Sequence, residues 1–196
     1  MSFEIVHEFE RQVASFFGAP HAVAVDCCTH AIELCLREQN VKWYSTPKRT
    51  YISVPFLSQK LNIGFDWRDE DWTNFYYLGG TNIIDAAVLW KQDSYIPDTH
   101  MCLSFQFRKH LNTGRGGMIL TDNQESANRL KKMSYDGRDP VTPWREQNID
   151  MIGYHYYMTP ETAQLGIEKL PTAIGTPPRQ WTVADWPDLT QMEIFR

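Results

Sequence analysis

Residues Cys102–Asp122 read CLSFQFRKHLNTGRGGMILTD. Two apolar runs, Met101–Phe105 and Met118–Thr121, flank a glycine-dense turn, which predicts two buried strands joined by a loop. One lysine, Lys109, sits in that loop just past the end of the first run. A lysine beside a buried strand is usually a surface residue whose aliphatic stem lies on apolar neighbours. Its surroundings argue for more. Asp85 closes the apolar run Asn82–Asp85 and is followed by Ala86 and Ala87, so a carboxylate stands at the carboxyl edge of a predicted strand, where open α/β sheets bind ligands. Thr29 follows the apolar strand His21–Val25 and can cap a helix from about His30 to Arg37, a junction where backbone N–H groups and a hydroxyl can hold a phosphate. Amine, carboxylate and anion cradle at strand ends are the needs of pyridoxal phosphate (PLP): a lysine for its aldehyde, a partner for its ring nitrogen and a cup for its phosphate.

Phe3, Val6, Phe9, Val13 and Phe16 recur at helical spacing, predicting an opening helix that Gly18 ends. Pro55 suits the first turn of a helix reaching Leu61, Ile63–Trp67 reads as a strand, and helices are predicted over Gln124–Ser134 and Pro160–Leu170, the latter capped by Thr159. Alternating strands and helices predict an α/β fold with a mostly parallel sheet flanked by helices. The 196 residues suffice for one main domain, 1–171; from Thr172 onward, TAIGTPPRQWTVADWPDLTQ shows no period and reads as an extended tail over 172–196. A net charge of −5, without a basic stripe, argues against nucleic acid as a partner. No apolar run approaches the ~20 residues of a membrane span and the N-terminus is an acidic amphipathic helix, so we expect a cytoplasmic protein without membrane contact. Cys27 and Cys28 are adjacent, and none of the four cysteines has metal-ligand spacing, so we expect neither disulfide nor metal.

The ordered segments FE…FFGAPHAVAVDCCTHAIEL, PKRTY, NIIDAA, SFQFRKHLNTGRGGMILTD, YDGRD and GYHYYMTPETAQLGIEKL resemble the DegT/DnrJ/EryC1/StrS sugar aminotransferases, which are fold-type I PLP enzymes of the aspartate aminotransferase superfamily. The resemblance spans Phe3 to Pro171, and its most specific part is Ser-Phe-(three residues)-Lys with the following Thr-Gly-x-Gly-Gly. It implies that Lys109 bonds the cofactor and shuttles protons, that Asp85 keeps the pyridine nitrogen protonated, that Thr29 and Ser104 hold the phosphate, and that Tyr51 stacks on the ring. It also implies a PLP-dependent transfer of an amino group, from glutamate or another amino acid, to a nucleotide-linked keto sugar, in a homodimer with shared active sites.

The chain departs from the family at several positions. Cys27-Cys28-Thr29 stands where the family has Ser-Gly-Thr, so Cys28 replaces a glycine beside the phosphate. Val88 stands where Gln or His often meets the cofactor's phenolic oxygen, Arg115 replaces the acid of the glycine turn, and His155 occupies the place of an Asn that reaches the phosphate of the neighbouring subunit. The resemblance implies members close to twice this length, so we expect this form to lack most of the small C-terminal domain and to have a contracted Asp66–Thr81 interval. A second reading is therefore a non-catalytic remnant or scaffold that uses the pocket to hold PLP, a sugar nucleotide or a partner protein.

Overall fold

The computed structural model describes residues 2–196. Its chain order is α1 (Glu4–Phe17), β1 (His21–Val25), α2 (Cys28–Glu38), β2 (Trp43–Pro47), α3 (Ser53–Leu61), β3 (Gly64–Arg68), β4 (Tyr76–Tyr77), β5 (Ile83–Asp85), β6 (His100–Ser104), β7 (Gly117–Thr121), α4 (Gln124–Ser134) and α5 (Pro160–Gly175), with 3-10 turns at 144–146 and within 183–195. Local chemistry sets most of the boundaries. Gly18 ends α1 in the left-handed region at φ 75°, the Asn123 side chain accepts from Ser126 N to cap α4, and Thr159 caps α5 ahead of Pro160.

Side chains alternate across the main sheet with period two. Ala22, Ala24, Met101, Leu103, Met118 and Leu120 face the cluster built by α1 and α5, while Val23, Val25, Cys102 and Ile119 face the cluster of α2, α3 and α4. The result is a helix–sheet–helix sandwich with one strand order, β1-β7-β6-β5-β4.

The expected mostly parallel sheet is corrected. Within the main sheet only β5–β6 is parallel, whereas β1–β7, β6–β7 and β4–β5 are antiparallel; β2 and β3 form a separate parallel pair. Connection length explains the β6–β7 and β4–β5 pairs, because a parallel pair needs a crossover and a hairpin can only be antiparallel. The loop carrying Lys109 joins β6 directly to β7, and a tight turn through Gly79–Asn82 joins β4 to β5, closed by the bond from Leu78 N to the Ile83 carbonyl at 2.8 Å. Because β7 opposes both β1 and β6, strands β1, β5 and β6 still point one way. Their carboxyl ends share one edge of the sheet.

Helix α5 runs on through Pro171 to Gly175, five residues past its predicted end. A proline inside a helix removes one hydrogen bond. Tertiary bonds hold the last turn instead, since the Ala173 carbonyl accepts from Trp90 Nε1 at 3.0 Å and from His110 Nε2 at 2.8 Å. The tail then folds back over the domain: Asn74 N donates to the Trp181 carbonyl (2.9 Å), Trp181 N to Asn74 Oδ1 (3.0 Å), and Leu189, itself buried, from its N–H to the Lys48 carbonyl (2.9 Å). All four cysteines are free, and among the described residues no helix is long and apolar enough to cross a membrane.

Candidate active site

The shared edge of β1, β5 and β6 opens into a cleft of about 700 Å³, within the usual size range of ligand sites. Cys28, Thr29, Tyr51, Asp85, Ser104 and Lys109 all line it. His155 does not. It is 70% exposed, on the strand-like segment beside Tyr135, and its Nδ1 pairs with Asp136 Oδ2 at 2.9 Å.

One wall is the junction between β1 and α2. The helix starts at Cys28, with Cys27 as an extended N-cap that makes no side-chain capping bond, so its first N–H groups stand without an intrahelical partner at the cleft. Thr29 therefore lies inside the helix and is not its cap. Its hydroxyl is free to pair with Ser53 Oγ at 2.7 Å. The Cys28 thiol donates to the Cys102 carbonyl at 3.4 Å and is turned toward the sheet, so the side chain that replaces the family glycine leaves the backbone clear. The glycine turn completes this wall. A Cβ on Gly117 would fall 2.5 Å from the Cys27 carbonyl carbon and 2.6 Å from Cys28 N, so only glycine lets the start of β7 come this close to the head of α2. Arg115, from the same turn, pairs with Asp26 Oδ2 at 2.7 Å, and Asp26 Oδ1 pairs with His30 Nδ1 at 2.6 Å. Burial alone would push the His30 imidazole down, but hydrogen bonds to Asp26 and Cys27 outweigh it and hold its pKa at about 9. Two cations thus flank one carboxylate beside the helix head, with Arg115 on the cleft side.

On the floor, Asp85 is 5% exposed at the end of β5. Its Oδ2 accepts from the Tyr76 hydroxyl at 2.5 Å and its Oδ1 from Ala87 N at 3.0 Å. Burial raises its pKa, opposed by the bonds from Tyr76 and Ala87 and by the charge of Lys109. Lys109 Nζ makes no hydrogen bond or ion pair among the described residues; it faces two indole rings, Trp181 at 5.7 Å and Trp186 at 5.8 Å. Burial holds its pKa below the ordinary lysine value, with Asp85 and Cys28 pulling the other way. The Lys109 amine is thus partly desolvated and without a bonded partner, which suits a nucleophile.

Tyr51 stands at the rim, 54% exposed, edge-on to Trp186 with ring centroids 6.1 Å apart. Three groups in the cleft were not singled out from sequence: Tyr76 and Thr50, which lie behind Asp85, and the lid formed by Trp181 and Trp186. The tryptophans lie in the tail, whose sequence shows no period. Tyr76 lay in an interval read as contracted, where two adjacent tyrosines gave no clear period.

The set suits PLP on three counts: an unbonded amine for the aldehyde, a buried carboxylate with spare lone pairs for a protonated ring nitrogen, and an uncapped helix start with two hydroxyls for the phosphate.

The model of the DegT/DnrJ/EryC1/StrS aminotransferase family matches residues 2–57 and 97–177. The spore coat polysaccharide biosynthesis protein SpsC of Bacillus subtilis is 24% identical over 219 residues, covering 84% of this chain and 56% of SpsC. The uncharacterized protein MJ1066 of Methanocaldococcus jannaschii is 36% identical over 110 residues, covering 53% of this chain and 28% of that protein. Among solved structures, AtS13 from Actinomadura melliaura superposes with a TM-score of 0.75 at 19% identity, covering 89% of this chain and 61% of that one. The structure of 3-amino-5-hydroxybenzoic acid synthase gives 0.74 at 21% identity, with coverages of 88% and 56%. The chain thus spans little more than half the length of SpsC and of these structures, and less of MJ1066. With most of its length matched by the family model and the same fold in its structural neighbours, this chain belongs to the DegT/DnrJ/EryC1/StrS aminotransferase family.

Proposed function

We propose that the protein is a PLP-dependent aminotransferase that moves an amino group from an amino acid, glutamate being the first candidate, to a nucleotide-linked keto sugar. The observation that carries this reading is the convergence of Lys109, Asp85, Ser104 and the uncapped start of α2 on one cleft. When bound, PLP supplies an electron sink for the carbanion formed as a proton leaves the amino-bearing carbon. The N–H groups at the head of α2, with Thr29 and Ser104, would hold the phosphate, and Arg115 at the cleft edge adds a cation beside it. Asp85 keeps the ring nitrogen protonated, and Tyr51 covers one ring face. Lys109, once its amine is free, takes and returns the proton as general base and acid; its lowered pKa brings the neutral amine closer to working pH. Trp181 and Trp186 exclude water above it.

The proposal includes a homodimer in which His155 reaches the phosphate of the other copy. It is supported by the exposure of His155, 70% at its side chain, and by the edge-on contact of its ring with Tyr157 at 4.7 Å. Two experiments test the reading. Borohydride reduction after addition of PLP should fix a pyridoxyl group on Lys109, found by peptide mass spectrometry, and an amino donor should then change the spectrum of unreduced holoenzyme. A protein that takes up no cofactor at Lys109 would refute the enzyme; binding without any donor response would favour a scaffold. Mixing Lys109→Ala with His155→Ala protein should restore activity above either variant alone, because some mixed dimers carry one intact site. If mixing restores nothing while the wild type is active, the shared site is wrong.

A further inference from the structure

Asp85 does not stand alone on the cleft floor. Tyr76 is its direct cross-strand partner in the β4–β5 hairpin, with Cα register Tyr76↔Asp85, and directly opposed residues of an antiparallel pair send their side chains to the same face. The two meet through the 2.5 Å bond from the phenol O–H to Oδ2. Behind Tyr76, the buried Thr50 hydroxyl lies against the phenol oxygen; with the phenol proton given to Asp85, Thr50 is the donor to Tyr76. The relay is dry: Thr50 is 2% and Tyr76 4% exposed, and the ring of Trp72 packs beside Tyr76 at 5.2 Å. Tyr76 and Asp85 both lie within residues 58–96, the interval the family model leaves unmatched. The tight turn that returns the chain to β5 makes β4 antiparallel and brings the Tyr76 side chain opposite Asp85.

A carboxylate buried this deeply is stable as an anion only if hydrogen bonds replace its lost water. Ala87 N supplies one bond to Oδ1, and Tyr76 supplies the one to Oδ2. The other titratable groups around Asp85 are Lys109 from the loop and the thiols of Cys28 on α2 and Cys102 on β6, all facing it from the cleft or the sheet. Lys109 is the single cation of this set, and it makes no ion pair with Asp85, so the two hydrogen bonds carry most of the charge. We propose that Tyr76, oriented by Thr50, is the positioning residue of Asp85: it fixes the carboxylate rotamer and keeps the anion available for a protonated ring nitrogen. This rests on the PLP reading above only for the purpose the anion serves, since the relay itself exists in the protein without cofactor.

The experiment has two arms. In the first, protein without cofactor and labelled with aspartate carrying ¹³C at the carboxyl carbon is titrated by NMR, with Asp85 assigned by its loss in Asp85→Asn. Tyr76→Phe, which keeps the ring and its packing, should raise the Asp85 midpoint by about one unit, equivalent to a tenfold loss of preference for the anion. Thr50→Val should shift it the same way by less. A midpoint within about 0.2 unit of wild type in both variants would overturn the proposal, because a purely structural tyrosine would leave it unmoved. In the second arm, PLP affinity is measured by absorbance titration, and Tyr76→Phe should weaken it about tenfold with a bound-cofactor spectrum that varies with pH over a range where the wild type is constant. Unchanged affinity and an unchanged pH profile in Tyr76→Phe would also overturn the proposed role. If wild type binds no PLP, the enzyme reading fails, and the NMR arm still decides whether Tyr76 controls Asp85.

Discussion

Replacing Gly117 with alanine should damage stability and cofactor binding together. The added methyl would sit 2.5 Å from the Cys27 carbonyl carbon, 2.6 Å from Cys28 N and 2.8 Å from the Cys27 oxygen, against the ~3.5–4.0 Å at which such atoms are comfortable. Every clashing atom is backbone, so no side chain can swing aside, and a displacement on the order of 1 Å is needed. β7 cannot easily supply it, since Gly117 is paired with Val25 on one side and Ser104 on the other. The Cys27–Cys28 turn must therefore retreat, carrying the N–H groups at the head of α2 with it. Overpacking of this kind costs about 1–3 kcal/mol, and alanine returns about 0.4–1 kcal/mol by restricting the unfolded chain. The net, about 1–2 kcal/mol, lowers Tm by roughly 2–8 °C for a chain of this size. The same retreat lengthens the bonds to a phosphate, so PLP affinity should fall about tenfold or more, an energy of about 1.4 kcal/mol. Differential scanning calorimetry and absorbance titration measure the two effects. Gly175→Ala is the control, because nothing lies within 4 Å of its added methyl and its backbone is not left-handed; it should be neutral or slightly stabilising. A Gly117→Ala protein that melts and binds PLP like wild type would refute the close-approach argument.

Three further outcomes follow from the site. Lys109→Met should raise Tm at pH 7, because the folded state disfavours the ammonium; the unfolded chain binds that proton more readily, so wild-type stability rises with pH through the window below 10.5 and the gain in the variant should shrink there, whereas a gain independent of pH would contradict a desolvated amine. For His30 the sign is opposite: its contribution is fully present below the unfolded value of 6.5 and is lost as pH rises through about 9, so His30→Gln should flatten the fall in Tm across that interval, and parallel curves would refute the Asp26–His30 pair as its cause. PLP bound at Lys109 should quench indole emission strongly, and Trp181→Phe with Trp186→Phe should remove most of that quenching; if the double variant is quenched as fully as wild type, the tail does not cover the amine.

The readable half of the site is the half made by short, local motifs. β1 with α2, the end of β5 at Asp85, and the β6–Lys109–β7 loop each show their strand, turn and glycine within about twenty residues of sequence, because turn chemistry and hydrophobic period are local properties. Strand direction was not readable in this way. An alternating order of strands and helices favours a parallel sheet, yet direction depends on whether a given connection is a hairpin, and β4, two residues long, is too short to show a period. Thr29 illustrates a smaller limit: threonine is a good cap, but Cys27 takes the extended backbone of the N-cap two positions before the expected cap at Thr29, and the threonine hydroxyl goes to Ser53 instead. Pro171 likewise signals a helix end, and the Trp90 and His110 bonds to Ala173 override it.

The unread half has a common physical origin. The wall opposite the helix head is built from β4 and the tail, and it is held by pairings across great sequence distance: Asn74 with Trp181, Lys48 with Leu189, Arg49 Nη1 with the Trp186 carbonyl at 3.0 Å. Such contacts leave no period in the sequence, because each residue answers to a partner more than a hundred positions away. They also join one another, since Trp72 and Tyr51 touch Trp186 while Tyr76 touches both Trp72 and Asp85. A change in the tail can therefore reach the carboxylate through two aromatic contacts, whereas the phosphate side, built on β1, α2 and the glycine turn, shares no member of that chain. Substitutions at Trp186 should for that reason alter the environment of Asp85 and Lys109 while leaving the head of α2 as it is. The two halves of the cleft are then coupled differently to the tail: Trp186 reaches Lys109 directly and Asp85 through Trp72 and Tyr76, and the head of α2 stands apart from it.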